Sequence, residues 1–229
     1  MNPKILLVDD EEDILDIIET VLKCEGFSRI LKANNGKNAL HICKEKNPDI
    51  IVLDIKLPDI DGYEICRRIR EFSTVPIIFV SAKKDEVDKL LSFALGGDDY
   101  ITKPFSAKEL AYRIKAIIRR EQIYSKVEIN DSINVNDLEI VAEECVVRKN
   151  GKHIQLTAKE FSLLLYFVEN RNIVLSKSRI IDSVWGSEYD GYDNTLMVHI
   201  RKLREKIEDD AANPQYIKTV KKLGYKFIG

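Results

Sequence analysis

The chain has few cysteines, no long apolar run and almost no net charge. Its four cysteines, Cys24, Cys43, Cys66 and Cys145, form no CxxC pair; the first three fall in helical patterns and are expected as reduced, buried thiols of a cytoplasmic protein. No apolar stretch approaches the ~18 residues needed to span a bilayer. The amino terminus opens on a strand pattern rather than a secretory signal, so a soluble, unprocessed protein is expected. A formal net charge of −2 argues against general polyanion binding and leaves room only for a local basic face. Neither an internal repeat nor a low-complexity tract is present. What remains is 229 residues, 45% hydrophobic and 32% charged: a globular composition, long enough for two ordinary domains.

Through the first half, strand-like runs (Lys4–Val8, Arg29–Ala33, Ile50–Asp54, Ile77–Ser81, Asp99–Thr102) alternate with helical patterns (Glu12–Cys24, Lys37–Lys46, Gly62–Phe72, Lys84–Leu95, Ala107–Glu121). Several runs are continuously apolar and rich in β-branched residues, as suits strands buried on both faces of a parallel sheet. Five β/α units in succession predict an α/β fold, a five-stranded doubly wound parallel sheet with right-handed crossovers.

Such sheets gather polar residues at the carboxyl ends of their strands. One run ends at Asp54, and three others end in Asp9-Asp10, Ser81 and Lys103. A single Asp after a strand is ordinarily a turn former or helix cap. Four strand ends carrying acids, a hydroxyl and a lysine instead suggest one phosphorylation site.

Periodicity changes near residue 121. Residues 122–131 are the expected linker between a first domain, 1–121, and a second, 132–229. Short strands are expected at Leu138–Val141, Cys145–Lys149 and His153–Leu156, with Asn150-Gly151 as a hairpin turn. Thr157 and Glu160 are spaced as a capping box opening the helix Ala158–Asn170. Helices at Lys177–Trp185 and Asn194–Glu208 follow, then strands at Ile217–Val220 and Tyr225–Ile228. Three helices flanked by hairpins describe a winged helix-turn-helix, an α+β domain.

The motifs Leu7-Val8-Asp9-Asp10-Glu11, Val52-Leu53-Asp54-Ile55-Lys56-Leu57-Pro58, Val80-Ser81-Ala82 and Asp98-Asp99-Tyr100-Ile101-Thr102-Lys103-Pro104-Phe105 resemble the receiver domain of two-component response regulators. The resemblance implies that Asp54 is the phosphoacceptor, served by a sensor histidine kinase, and that Ser81, Tyr100 and Lys103 are switch residues. It implies an Mg2+ site with Asp10, Asp54 and the Lys56 backbone carbonyl as direct ligands and Asp9 acting through water, a set of hard oxygen donors that suits this ion. A cis peptide before Pro104 would aim Lys103 at the site. The Lys56 and Lys83 side chains stand at variable positions that influence phosphoryl lifetime. Lys89, Asp98, Asp99, Glu109, Arg113 and Arg120 are implied to form the face through which a phosphorylated homodimer assembles, with Lys89 and Glu109 as a cross-subunit pair.

The second half resembles the winged-helix domain of the OmpR/PhoB family, through Leu156-Thr157-Ala158-Lys159-Glu160-Phe161, Val184-Trp185-Gly186, Val198-His199-Ile200-Arg201-Lys202-Leu203-Arg204 and Gly224-Tyr225-Lys226-Phe227. Leu196, Ile200, Leu203 and Ile207 form the buried stripe of the helix Asn194–Glu208. Its other faces hold Asn194, Thr195, Val198, His199, Arg201, Lys202 and Arg204, of which Arg201, Lys202 and Asn194 are the leading contacts to double-stranded promoter DNA. Arg204 has an alternative role as an anchor for the domain's own acids. Residues 201–226 hold eight lysines and arginines against four acids, a local excess of positive charge. Thr219 and the hairpin-turn residues Lys221 and Lys222 are placed to reach a neighbouring groove. The family's turn usually reads Arg-Gly-x-Gly-Tyr, so Lys222 and Leu223 depart from it. Trp185 and Tyr225 are assigned to the core.

The expected protein is a phosphorylation-dependent transcription regulator that binds tandem half-sites as a dimer, with RNA polymerase as a further partner. Two readings compete with it. One is an Mg2+-dependent phosphotransferase or phosphatase using Asp54 as nucleophile; the other is a regulator that binds DNA without phosphorylation.

Overall fold

The computed structural model describes residues 2–82, 85–124, 132–142, 144–186 and 193–229, with backbone alone for 119–124 and 193. The chain forms two compact units, residues 1–118 and 119–229.

In the first unit the elements are β1 (Lys4–Val8), α1 (Glu12–Cys24), β2 (Arg29–Ala33), α2 (Gly36–Lys46), β3 (Ile50–Asp54), α3 (Gly62–Arg70), β4 (Ile77–Ser81), α4 (Glu86–Ala94), β5 (Asp99–Thr102) and α5 (Ala107–Tyr124). The strands pair in parallel in the order β2-β1-β3-β4-β5. Every residue of β3 and β4 is buried, which is what their unbroken apolar runs require. The strand order reverses beside β1, so the carboxyl ends of β1 and β3 flank the crevice where open sheets place their sites.

Several ends differ from expectation. Helix α5 runs to Tyr124, because Gln122, Ile123 and Tyr124 include no helix breaker, so the expected linker loses its first three residues. The rest of that linker lies outside the described residues, as do Lys83 and Lys84. Cys43 and Cys66 are buried, and burial pushes their thiols up to about 12 and about 11. Cys24, at the end of α1, is instead exposed, as is Cys145.

The second unit opens with four antiparallel strands in sequence order: β6 (Ile133–Val135), β7 (Leu138–Val141), β8 (Val146–Lys149) and β9 (Lys152–Ile154). Asn150 and Gly151 both take positive φ, 50° and 74°, as their turn demands. Then come α6 (Ala158–Glu169), β10 (Val174–Leu175), α7 (Lys177–Val184), α8 (Asp193–Ile207), β11 (Ile217–Val220) and β12 (Gly224–Phe227), the three strands pairing in the order β10-β12-β11. Thr157 and Glu160 form the capping box of α6 in both directions, at 3.3 and 2.8 Å. Strands β6 and β10, only three and two residues long, escape detection in the sequence because no periodicity develops over so short a run. Leu196, Ile200, Leu203 and Ile207 bury α8 in the core, together with Trp185 and Tyr225.

Candidate phosphoacceptor site and DNA-binding face

Asp9 follows β1, Asp54 ends β3 and Lys103 follows β5. Asp54 is 5% exposed, and Asp9 is buried beside it. The Lys103 ammonium donates to Asp54 Oδ2 at 2.5 Å and to Asp9 Oδ2 at 2.8 Å. The remaining oxygens are held by the main chain: the Lys56 amide donates to Asp54 Oδ1 at 3.0 Å and the Glu11 amide to Asp9 Oδ1 at 3.0 Å. The Lys103 amide donates to the Ser81 carbonyl at 2.7 Å, and the Lys103-Pro104 peptide is cis. Ser81 is buried at the end of β4.

One carboxylate oxygen from each of Asp9, Asp10 and Asp54 lies within 4.8 Å of the others, and Asp10 is exposed at the mouth. Three hard oxygen donors around one point fit a small divalent cation. Burial pushes the Asp54 carboxyl above the usual carboxylate range, against the pull of Lys103 and the Lys56 amide, with Asp9 adding to the rise. Burial works against the Lys103 ammonium, but its bonds to Asp54 and Asp9 outweigh that and hold it above the ordinary lysine value.

The shape of the site depends on Gly62, where α3 begins. A Cβ there would stand 2.4 Å from the Asp54 carbonyl oxygen and 2.7 Å from Ile55 Cα, so any larger residue would displace the end of β3. Two polar residues that sequence reasoning passed over also shape the surroundings. Asp59 accepts from the Gly36, Lys37 and Ile60 amides, tying the loop after β3 to the start of α2. The Tyr63 hydroxyl donates to Asp88 of α4 at 3.1 Å, while its ring packs on Phe79. The run Pro58-Asp59-Ile60-Asp61-Gly62 signals a turn for Asp59; no signal marks Tyr63, whose partner is distant in sequence.

Tyr100 is turned inward on β5, with the Lys89 ammonium 5.9 Å over its ring. Nearby, Arg113 pairs with Asp99 at 3.1 Å and with Glu109 at 2.9 Å. Asp98 does not join this surface. It is 1% exposed, and its Oδ2 accepts from the Ile77 amide at 3.0 Å and from Arg70 at 3.2 Å, because it precedes β5 rather than lying on it. The Arg120 side chain is outside the described residues. Val87, Leu91 and Tyr112 are exposed apolar residues on α4 and α5 that the charge pattern alone does not reveal.

On α8, Asn194, Arg201 and Lys202 reach the surface, and Val198 is half-buried. Glu205 pairs with Arg201 at 2.9 Å and with Lys202 at 3.6 Å. Thr195, expected at the surface, is 4% exposed, and His199 is buried too, its ring 5.2 Å from Trp185. Counting aliphatic residues alone made the buried stripe too narrow; Thr195 and His199 lie one turn apart on its edge. The Lys159 ammonium, 5.1 Å over the Trp185 ring, donates to the Val184 carbonyl. Arg204 anchors main chain rather than acids: it donates to the Ile217 carbonyl at 3.1 and 2.6 Å and to the Thr219 hydroxyl at 2.9 Å. Thr219, Lys221 and Lys222 are exposed on the closing hairpin.

An acidic strand-end pocket on a five-stranded parallel sheet, followed by a winged-helix unit, defines a regulator with a receiver and a DNA-binding domain. Residues 5–115 match the response regulator receiver domain, and residues 151–227 match the family described as transcriptional regulatory protein, C terminal. The transcriptional regulatory protein YvrH of Bacillus subtilis (strain 168) is 44% identical over 227 residues, covering 99% of this chain and 96% of that protein. The response regulator DrrB, a Thermotoga maritima OmpR/PhoB homolog, is 34% identical with a TM-score of 0.53, covering all of both chains. A mutant of RitR is 26% identical with a TM-score of 0.80, over 99% of this chain and 100% of that one. The chain belongs to the OmpR/PhoB family of two-component response regulators, phosphorylation-dependent DNA-binding regulators of transcription.

Proposed function

We propose that Asp54 accepts the phosphoryl group, and that residues 1–121 act as the receiver for residues 132–229. A sensor histidine kinase is the donor: a carboxylate oxygen of Asp54 attacks phosphorus, the bond from phosphorus to the histidine nitrogen breaks, and an acyl phosphate results. Asp9, Asp10, Asp54 and the Lys56 carbonyl would hold Mg2+, which when bound would supply positive charge to offset the repulsion between the two anionic groups. Lys103 moves its hydrogen bond from Asp54 to a phosphoryl oxygen, contributing charge without giving up a proton. Ser81 offers its hydroxyl to another oxygen, and Tyr100, already inward on β5, is held there when Ser81 engages. Phosphorylation adds about 1.5 to 2 negative charges, enough to bias this movement.

Dimerisation then uses the surface of Lys89, Asp99, Glu109 and Arg113, joined by Val87, Leu91 and Tyr112. Asn194, Val198, Arg201, Lys202, Thr219, Lys221 and Lys222 face tandem DNA half-sites, while Arg204 sets the hairpin against α8. RNA polymerase is a further partner, and a cytoplasmic location follows from a chromosomal target.

The observation that carries this reading is the convergence of Asp9, Asp10, Asp54 and Lys103 from three strand ends. Incubation with acetyl phosphate and Mg2+ tests it. One stable phosphoryl equivalent per chain, absent from Asp54→Ala, is expected; continuing phosphate release at an enzymatic rate would establish the phosphotransferase reading instead. Unchanged promoter binding by Asp54→Ala would establish a regulator independent of phosphorylation.

A further inference from the structure

The lysines and arginines of helix α8 are Arg201, Lys202, Arg204 and Lys206, and the fold engages all of them. Two are used internally: Arg204 bonds the Ile217 carbonyl and Thr219, and Lys206 donates to the Gln155 carbonyl at 3.0 Å and pairs with Glu160 of α6. The other two, Arg201 and Lys202, share one carboxylate, that of Glu205, at 2.9 and 3.6 Å.

Glu205 stands where a helix that meets a polyanion has least use for an acid. Asn194, Val198, Arg201 and Glu205 follow one another at intervals of four, three and four residues, so they form one stripe. Glu205 is the one acid between Asn194 and Ile207. The next, Glu208, is buried and takes the Gln215, Tyr216 and Ile217 amides instead. Stability accounts for little of this arrangement, because ion pairs between exposed side chains three or four residues apart contribute weakly to a fold.

The bonding geometry points elsewhere. Arg201 is held through Nε and its side chain is 81% exposed, so its terminal guanidinium nitrogens lie outside the pair and still donate. Two attractions to DNA are thereby separated. Attraction to phosphate depends on net charge and ignores sequence, and a neighbouring carboxylate weakens it. A bidentate bond to a base edge depends on donor placement, which the pair fixes before binding at a saving in conformational entropy.

We infer that Glu205 determines specificity: it partly cancels the charge of Arg201 and Lys202, holding down binding to arbitrary sequence while leaving Arg201 able to read a base. This inference rests on the DNA-facing role proposed for α8. The test compares full-length wild-type, Glu205→Gln and Glu205→Asp chains, each treated with acetyl phosphate and Mg2+. Affinity is measured across a series of salt concentrations for two duplexes, one of mixed sequence and one that the wild-type chain enriches from a random-sequence library.

Glu205→Gln should bind the mixed-sequence duplex roughly fivefold more tightly at low salt and the enriched duplex less than about twofold more tightly, so that discrimination falls. Its salt slope on mixed sequence should steepen by about 0.9 per bound chain, as when one more phosphate is neutralised. Glu205→Asp keeps the charge and should keep the wild-type slope. Equal tightening by Gln and Asp would overturn the inference, as would a Gln variant whose unfolding midpoint moves while its slope does not. Equal tightening by Gln on both duplexes would overturn it in favour of a general charge effect. Weaker binding by Gln to the enriched duplex alone would overturn it in favour of a base contact by Glu205 itself. Failure of the wild-type chain to bind any duplex would overturn it together with the proposed DNA-binding role.

Discussion

Lys103 reaches Asp54 across 49 residues of sequence to make a 2.5 Å ammonium–carboxylate bond. The same ammonium serves Asp9, so one positive charge answers two buried carboxylates, with Asp10 at the mouth as a third acid. The pocket is short of positive charge.

Removing one of these carboxylates should therefore relieve the fold. Asp54→Asn is expected to stabilise the first unit by about 1 kcal/mol in buffer free of divalent ions, because the desolvated charge is lost while the Lys103–Asp9 bond remains. The gain should shrink as Mg2+ is added, since the ion stabilises the wild-type pocket by binding it. Thermal unfolding with and without Mg2+ checks this; a destabilised Asp54→Asn in metal-free buffer would contradict it.

Asp98 and Asp99 are adjacent acids with opposite assignments. Asp98→Ala should cost about 3 kcal/mol, because it strips the buried Ile77 amide of its acceptor and removes the carboxylate paired with the Arg70 guanidinium, which keeps its main-chain acceptors. Asp99→Ala should cost less than Asp98→Ala and act instead on phosphorylation-dependent dimerisation, measured by sedimentation. Equal stability losses would argue against this division.

At Gly62, alanine would ordinarily favour a helix by about 1 kcal/mol. Here its Cβ would meet the backbone of Asp54 and Ile55, so Gly62→Ala should destabilise by roughly 1–3 kcal/mol. It should also slow phosphoryl uptake from acetyl phosphate by displacing Asp54. Chemical denaturation and incorporation kinetics report the two effects separately.

Complete burial, reinforced by the nearby Lys159 ammonium, depresses His199 from 6.5 to about 3. The unfolded chain takes up a proton at a pH where the folded chain refuses it. Stability is thus fully present above pH 6.5 and is lost as pH falls from there towards 3. His199→Gln should flatten the pH dependence of unfolding in that window by up to about 1.4 kcal/mol per pH unit. An unchanged slope would mean that His199 is protonated in the fold.

The first unit was readable to a degree that the second was not. Its five strands fall where they are expected: β1, β3 and β4 are apolar runs, and a strand buried on both faces needs no partner's identity to be seen, while β2 and β5 follow from the β/α alternation. Strands β6 and β10 had no such run and exist because neighbours pair with them. Errors at Asp98, Thr195 and Cys24 share one cause: each lies where a half-turn or one residue of offset changes burial, and local pattern does not resolve that offset.

What the linear order of residues settles is chemical inventory and periodicity: which acids, lysine and hydroxyl end the strands, and which helix carries a basic face. Those depend on spacing along one element and follow from its repeat. What folding adds is the set of contacts between elements distant in sequence. Lys103 on two aspartates, Asp98 beneath Arg70, Arg204 on the hairpin and Lys222 at a left-handed turn are settled by packing geometry, in which a carboxylate is a surface charge or a buried anchor according to what reaches it.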